Sequence, residues 1–183
     1  MRTENSQLPE GCLSLADFLT RTPDGWFRTR KRDYLIQGKT VSEDTPVYNT
    51  LEDARYVARA GADVVLKGSL GEEWVTSPEK VARTYTRPDG SPLRPADFAS
   101  QDCWIPLRTA PAVDCYACRI PPEYRVAVLT LRGDLLLANR EGIPHGDGDH
   151  LVCAVGPDGG PDLSDVWVVN GLQFAANYTS NSV

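Results

Sequence analysis

Histidine is scarce in this chain, because both copies lie within the six residues HGDGDH at positions 145–150. Long apolar runs are also missing, since no segment approaches the roughly 20 apolar residues that span a bilayer. The first residues, MRTENSQLPEG, lack the basic and apolar regions of a signal peptide. We therefore expect a protein without a membrane partner, located in the cytoplasm.

Common catalytic motifs are absent as well. The sequence has no Gly-rich phosphate loop ending in Lys-Ser/Thr, no Gly-x-Ser-x-Gly element and no dinucleotide-binding fingerprint. These absences remove the usual sequence signs of nucleotide-dependent enzymes and serine hydrolases. The chain therefore favours a non-enzymatic role over an enzymatic one.

Five cysteines, an odd number without an export signal, indicate reduced thiols and no disulfide framework. Cys115 and Cys118 form one Cys-x-x-Cys pair, and Cys103 and Cys153 lie in the same half of the chain. Four such thiols could hold a structural zinc ion. A single pair without a matching second pair is insufficient for that assignment, so we expect no cofactor and keep zinc as the alternative.

Lysine is absent after Pro92, and charge differs between the two halves. Up to Pro92 there are 13 basic and 14 acidic residues, whereas the remainder has 6 basic and 11 acidic ones. An acidic half argues against a nucleic-acid partner, because phosphate binding needs clustered cations. The competing feature is a basic stretch between Trp26 and Tyr34, made of Arg28, Arg30, Lys31 and Arg32.

An internal repeat is the main positive signal. Residues 61–85 and 148–178 each contain adjacent Gly and Asp or a close variant, an apolar run, an acidic Gly-rich turn, Trp-Val and a closing tyrosine. Trp74 precedes Tyr85 by 11 residues, and Trp167 precedes Tyr178 by the same distance. In this alignment Asp63 matches Asp149.

The match continues upstream in the same order. Ala-Asp-Phe at 16–18 matches Ala-Asp-Phe at 96–98, Trp26 matches Trp104, and Thr50 matches Thr130. We therefore predict two tandem modules, residues 1–90 and the more acidic residues 91–183. The proline- and glycine-rich segment TRPDGSPLRP marks the boundary.

Periodicity within each module favours strands. Short β-branched runs such as DHLVCAV and DVWVVN alternate with Gly-rich turns such as GPDGGPDLSD. Ser14, Ser77 and Asn170 are predicted helix caps. TLEDARYVARA has the composition of a helix, but its repeat partner predicts a strand hairpin. The predicted fold is strand-rich α+β: two tandem pseudo-repeat modules of small twisted antiparallel sheets or partial barrels, each closed by a short helix.

The element PHGDGDHLV followed by DVWVVNGLQFAANY resembles an uncharacterised family of bacterial and phage proteins named for a Pro-Gly-Asp-Tyr-Gly motif, here in two diverged tandem copies. This copy has Gly148-Asp149-His150 in place of Gly-Asp-Tyr, and the first copy inserts Ala62 before Asp63. Because that family has no established activity, the resemblance implies architecture and a bacterial or phage accessory protein, with no particular chemistry.

The segment HGDGDH offers His145, Asp147, Asp149 and His150 as ligands for a metal ion. The matching turn at Asp63 has no histidine, and His150 matches Val64. We therefore predict a turn in which Asp63 and Asp149 accept main-chain N–H bonds. We expect both aspartates to matter for folding and both histidines to matter little.

The favoured function is a non-enzymatic binding or interaction module for a protein or small-molecule ligand. Its predicted ligand-binding residues are Asp63, Trp74, Tyr85, Asp149, His150, Trp167 and Tyr178. A small hydrolase or transferase using His150, Asp149 and Cys153 is the alternative, and a nucleic-acid accessory protein using Arg28 to Arg32 is the second alternative.

Overall fold

The computed structural model describes residues 8–51, 53–110, 114–131 and 133–179. These residues form short strands, three α-helices and one 3-10 helix. The helices are α1 (Leu15–Arg21), α2 (Pro78–Thr84), α3 (Gly171–Asn177) and the 3-10 helix Pro95–Phe98. The strands are β1 (Leu13–Ser14), β2 (Trp26–Arg30), β3 (Leu35–Thr40), β4 (Thr45–Asn49), β5 (Ala54–Ala58), β6 (Val64–Lys67), β7 (Glu73–Thr76), β8 (Tyr85–Thr86), β9 (Ile105–Thr109), β10 (Asp114–Arg119), β11 (Val126–Leu129), β12 (Leu135–Ala138), β13 (His150–Val155) and β14 (Pro161–Val169).

Residue contacts divide the chain into two compact units. The first unit contains the described residues within Met1–Arg28 and Cys115–Phe174, and the second contains those within Thr29–Asp114 and Ala175–Val183. Each unit therefore combines residues from both sides of position 90. The modules 1–90 and 91–183 remain a prediction about repeated sequence.

The first unit is built on two small open sheets. One has the strand order β14-β13-β10-β2, and β2 and β10 each cross the boundary between the units along the chain. The other has the order β1-β11-β12. Strand β1 runs parallel to β11, with Leu13 opposite Val126, so the expectation of purely antiparallel sheets is corrected at this position.

The second unit contains a five-stranded sheet with the order β7-β6-β3-β9-β8 and a separate hairpin, β4-β5. One face of the larger sheet packs against α2 to form the core. This core consists of Ile36, Val64, Leu66, Val81, Tyr85 and Leu107. Trp74, one of the predicted ligand-binding residues, is half-buried against this core.

The predicted helix caps are confirmed. The Ser14 hydroxyl accepts a hydrogen bond from the Asp17 N–H at 3.0 Å, and the Ser77 hydroxyl accepts one from the Lys80 N–H at 3.3 Å. The Asn170 side-chain oxygen accepts the Leu172 N–H at 3.0 Å. These bonds satisfy donors at the helix starts that have no partner within the helix.

The segment TLEDARYVARA contributes strand β5, paired with β4, so its helical composition is overridden. Its side chains alternate between buried and exposed, which is the period of a strand packed on one face. Strand β14 starts at Pro161 and so extends into GPDGGPDLSD, which the sequence predicted to be a turn. In the described part of the chain, no helix has the length and apolarity required to cross a bilayer.

Candidate functional site

Asp149 lies near the end of the HGDGDH segment and is buried. Its carboxylate accepts the Asn139 N–H at 2.7 Å and the Gly171 N–H at 2.9 Å, and its own N–H donates to the Asn139 side chain. Burial raises the pKa of Asp149, and the two main-chain donors oppose that rise. The predicted role as an acceptor of main-chain N–H bonds is confirmed, and both oxygens are used.

Gly148 makes this arrangement possible. Its φ of +116° lies in a region that side chains rarely adopt, and a Cβ atom there would lie 2.0 Å from the Ile120 carbonyl oxygen. The glycine is therefore needed for close approach of two backbone segments. This requirement is structural and does not depend on a ligand.

Asp63 occupies a similar turn in the second unit and is also buried. Its carboxylate accepts the Arg59 N–H at 2.9 Å and pairs with the exposed Arg59 guanidinium at 3.0 Å. The hydrogen bond raises the pKa of the Arg59 guanidinium. Asp63 and Asp149 thus share one role, in which a carboxylate holds a hairpin end beside the next strand.

His150 belongs to an aromatic core. Its ring stacks on Phe174 with a centroid distance of 3.8 Å and an interplanar angle of 4°, and the Phe27 ring lies edge-on at 6.3 Å. Arg119 and Val169 are its cross-strand neighbours. Burial, with the Arg119 cation as a smaller cause, lowers the pKa of His150 to about 4. The ring of His150, which was predicted to be a ligand-binding residue, is thus neutral and packed against aromatic side chains.

The candidate metal ligands are the side chains around the two histidines and the cysteines of the described residues. His145 has a buried Nδ1 atom without a hydrogen-bond partner among the residues described. Within the described ranges, no group of three or more His, Cys, Asp or Glu side chains is placed to hold an ion.

The cysteines differ in how far they are exposed to solvent. Cys103 is exposed, whereas Cys115, Cys118 and Cys153 are buried. Burial raises the pKa of Cys153 to about 12 and also raises the pKa of Cys118. Cys118 and Cys153 are thus thiols at neutral pH, and the thiolate is the form that attacks substrates or binds metals.

The three residues of the alternative catalytic site, His150, Asp149 and Cys153, do not come together. Cys153 and His150 lie three positions apart on β13, which places their side chains on opposite faces of the sheet. Both Asp149 oxygens are already occupied by main-chain donors. A nucleophile, a base and an orienting carboxylate must form a hydrogen-bonded chain, and these three residues do not.

Tyr85 and Tyr178 meet at one place within the second unit. The Lys31 ammonium donates to the Tyr85 hydroxyl at 2.7 Å and lies 4.8 Å from the Tyr85 ring centroid and 5.9 Å from that of Tyr178. Both tyrosines are buried, and burial raises the pKa of Tyr85. Their cation-binding surfaces are thus filled by a lysine of the same chain. Local sequence does not indicate this cluster, because the three residues are far apart along the chain.

The basic stretch 28–32 is divided by its strand geometry. Arg28 and Arg30 are exposed on β2 and flank the buried Thr29. Arg28 lies over the Tyr116 ring, and Arg30 pairs with Asp114 at 3.3 Å. Arg32 donates to the Tyr178 carbonyl oxygen at 2.8 Å. Arg28, Arg30 and Arg32 thus each have a separate partner within the chain.

The four tryptophans are half-buried. Trp167 lies opposite Val152 on β13, and Trp104 has the Lys39 and Lys67 ammonium groups 4.7 Å and 5.8 Å from its ring centroid. Trp74 and Trp167 thus sit on strands next to the buried β6 and β13. Of the two predicted ligand-binding tryptophans, Trp74 packs against the core of the second unit.

One shallow cavity of about 360 Å³ lies in the second unit, and it contains none of the predicted site residues. Its walls include Arg87, Leu93, Asp97, Ile105 and Pro106. Arg87 and Asp97 pair with each other at 2.6 Å, so the cavity offers a ligand no free charge from this pair.

Two hairpins expose apolar side chains that the sequence did not single out. On β4-β5, Tyr48 is 48% exposed and Val57 is 55% exposed. On β11-β12, Leu129 is 64% exposed and Leu135 is 46% exposed, and these two residues pair directly across the strands. Exposed neighbouring apolar side chains are typical of contact surfaces. Strand periodicity was visible in these segments, but periodicity alone does not reveal which face stays uncovered.

Comparison with family models, with curated proteins and with solved structures found no match to this chain.

Proposed function

We propose that this chain is a duplicated, non-enzymatic protein-binding module that uses the outward faces of its two hairpins. Duplication is supported by strand register. Leu66 lies opposite Trp74, and Val152 lies opposite Trp167. The tryptophans thus hold the same place relative to the strand that follows each Gly-Asp turn.

The closing tyrosines support the same alignment. Tyr85 lies opposite Thr109, and Tyr178 lies opposite Lys31. If Trp26 matches Trp104, then Lys31 matches Thr109, so the two pairs are equivalent. The adjacent main-chain bonds agree, since Ala110 N to Thr84 O and Arg32 N to Asn177 O both measure 2.8 Å.

Strand order adds a third line of support. Strand β2 comes from the first predicted module but joins the sheet of β10, β13 and β14. Strand β9 comes from the second module but joins the sheet of β3, β6 and β7. If the chain is a duplication, each module contributes one strand, β2 beginning at Trp26 or β9 following Trp104, to the sheet of the other module.

The observation that carries the binding function is the matched exposure of the two hairpins. Counted from the facing ends Thr45–Ala58 and Val126–Ala138, Tyr48 and Leu129 hold equivalent outward positions, one residue away from the sequence match of Thr50 with Thr130. They are 48% and 64% exposed. The opposite, inward positions, such as Val47 and Val128, are buried. Retaining large apolar side chains at outward positions in both copies is expected of a contact surface.

A photo-crosslinking experiment tests this function. A photoreactive phenylalanine analogue is placed at Val57, at Leu129 or at the exposed control position Glu79 on α2 in the cell that produces the protein. We expect the same discrete protein adduct from positions 57 and 129 and none from position 79. Equal adduct patterns at all three positions, or no adduct at 57 and 129, would contradict the proposal.

A further inference from the structure

We draw no further inference here: the strongest candidate, the surface patch beside β9 where the Lys39 and Lys67 ammonium groups lie next to the Trp104 ring, carries nothing because Lys67 already pairs with Glu73 at 3.8 Å and nothing among the described residues shows what covers the patch.

Discussion

At the scale of single residues, the predicted repeat was a better guide to the role of Asp149 than the metal-binding chemistry of its neighbours. Aligning Asp149 with Asp63 predicted a carboxylate that accepts main-chain N–H bonds, and both residues do so. The same alignment matched His150 with Val64, a core residue. What could not be predicted is the stack of His150 on Phe174, because the partner is supplied by a later helix whose docking depends on the whole sheet.

The first residue-scale prediction concerns the aspartates. Asp149→Ala should lower the free energy of unfolding by about 1 to 3 kcal/mol, because two buried main-chain donors lose their acceptor. Asp63→Ala should also lower this free energy, because it removes the acceptor of the Arg59 N–H, while its ion pair with the exposed Arg59 side chain contributes little. Urea titration measures both, with Asp158→Ala at an exposed turn as the control. A neutral Asp149→Ala variant would contradict the assigned role.

The second residue-scale prediction concerns the effect of His150 on the pH dependence of stability. Its pKa is about 4 in the folded protein and ordinarily 6.5, so between these values the unfolded state binds more protons. Stability should therefore be complete above pH 6.5 and fall as the pH is lowered toward 4. His150→Val, which introduces the residue found at the matching position 64, should remove about 1 to 2 kcal/mol of the loss between pH 7 and pH 5.

The measurement is urea unfolding of the wild type and His150→Val at pH 7 and pH 5. Groups that face His150 from neighbouring elements are Arg119 on β10 and, in the preceding turn, Asp149. Other carboxylates titrate equally in both proteins, so the difference between them isolates His150. Identical pH dependence in the two proteins would show that burial of this ring does not control its charge.

At the scale of elements, the local sequence predicted the helix starts, because these depend on interactions between residues close together in the chain. Helix starts followed Ser14, Ser77 and Asn170, because a side-chain acceptor next to a helix satisfies orphan donors without help from distant residues. The pairing of strands was predicted less well from the local sequence. The parallel pairing of β1 with β11 joins segments from opposite ends of the first unit, and nothing in either short run indicates its partner.

The basic stretch shows the same limit. Alternation along β2 separates Arg28 and Arg30 from Thr29, and the following residues turn toward Tyr85 and Tyr178. Composition places these cations close together in sequence, whereas strand geometry sends successive side chains in opposite directions. Charge runs therefore predict a surface only when the element that carries them is known.

The element-scale prediction concerns the cap of α2. This helix has seven residues and cannot persist alone, so it depends on its cap and on Val81 packing in the core. Ser77→Ala should lower stability by about 1 kcal/mol, whereas Ser77→Asp should retain most of it. Thermal unfolding of both variants beside the wild type tests this. Equal losses of stability in the Ser77→Ala and Ser77→Asp variants would indicate that the Ser77 hydroxyl contributes by packing and not as a hydrogen-bond acceptor.

At the scale of the whole molecule, the sequence predicted a strand-rich chain with short helices and missed how distant segments combine into sheets. The predicted boundary near residue 90 falls in an exposed turn at Gly90, with φ of +84°. Yet β2 and β9 join sheets whose other strands come from beyond that boundary. Contacts of such high sequence separation cannot be derived from periodicity, which is a local property.

Cleavage of the chain tests this arrangement. A protease site inserted after Gly90 should be cut, because the turn is exposed, and the fragments 1–90 and 91–183 should remain together in size-exclusion chromatography. Each fragment supplies a strand that the other fragment's sheet requires. Separation requires denaturant under this arrangement. Fragments that part in buffer and keep their circular dichroism spectra would show that each half folds without the strand of the other.

The placement of β2 also has a consequence for synthesis on the ribosome. This strand leaves the exit tunnel before β10, beside which it lies in the sheet. Strand β10 follows only after roughly 85 more residues, which takes about 4 to 17 seconds at ordinary elongation rates. During that interval Trp26 and Phe27 have no sheet to pack on, while β3 to β7 can already pair. The nascent chain therefore passes through a stage in which an aromatic strand is exposed, and chaperone dependence should concentrate there.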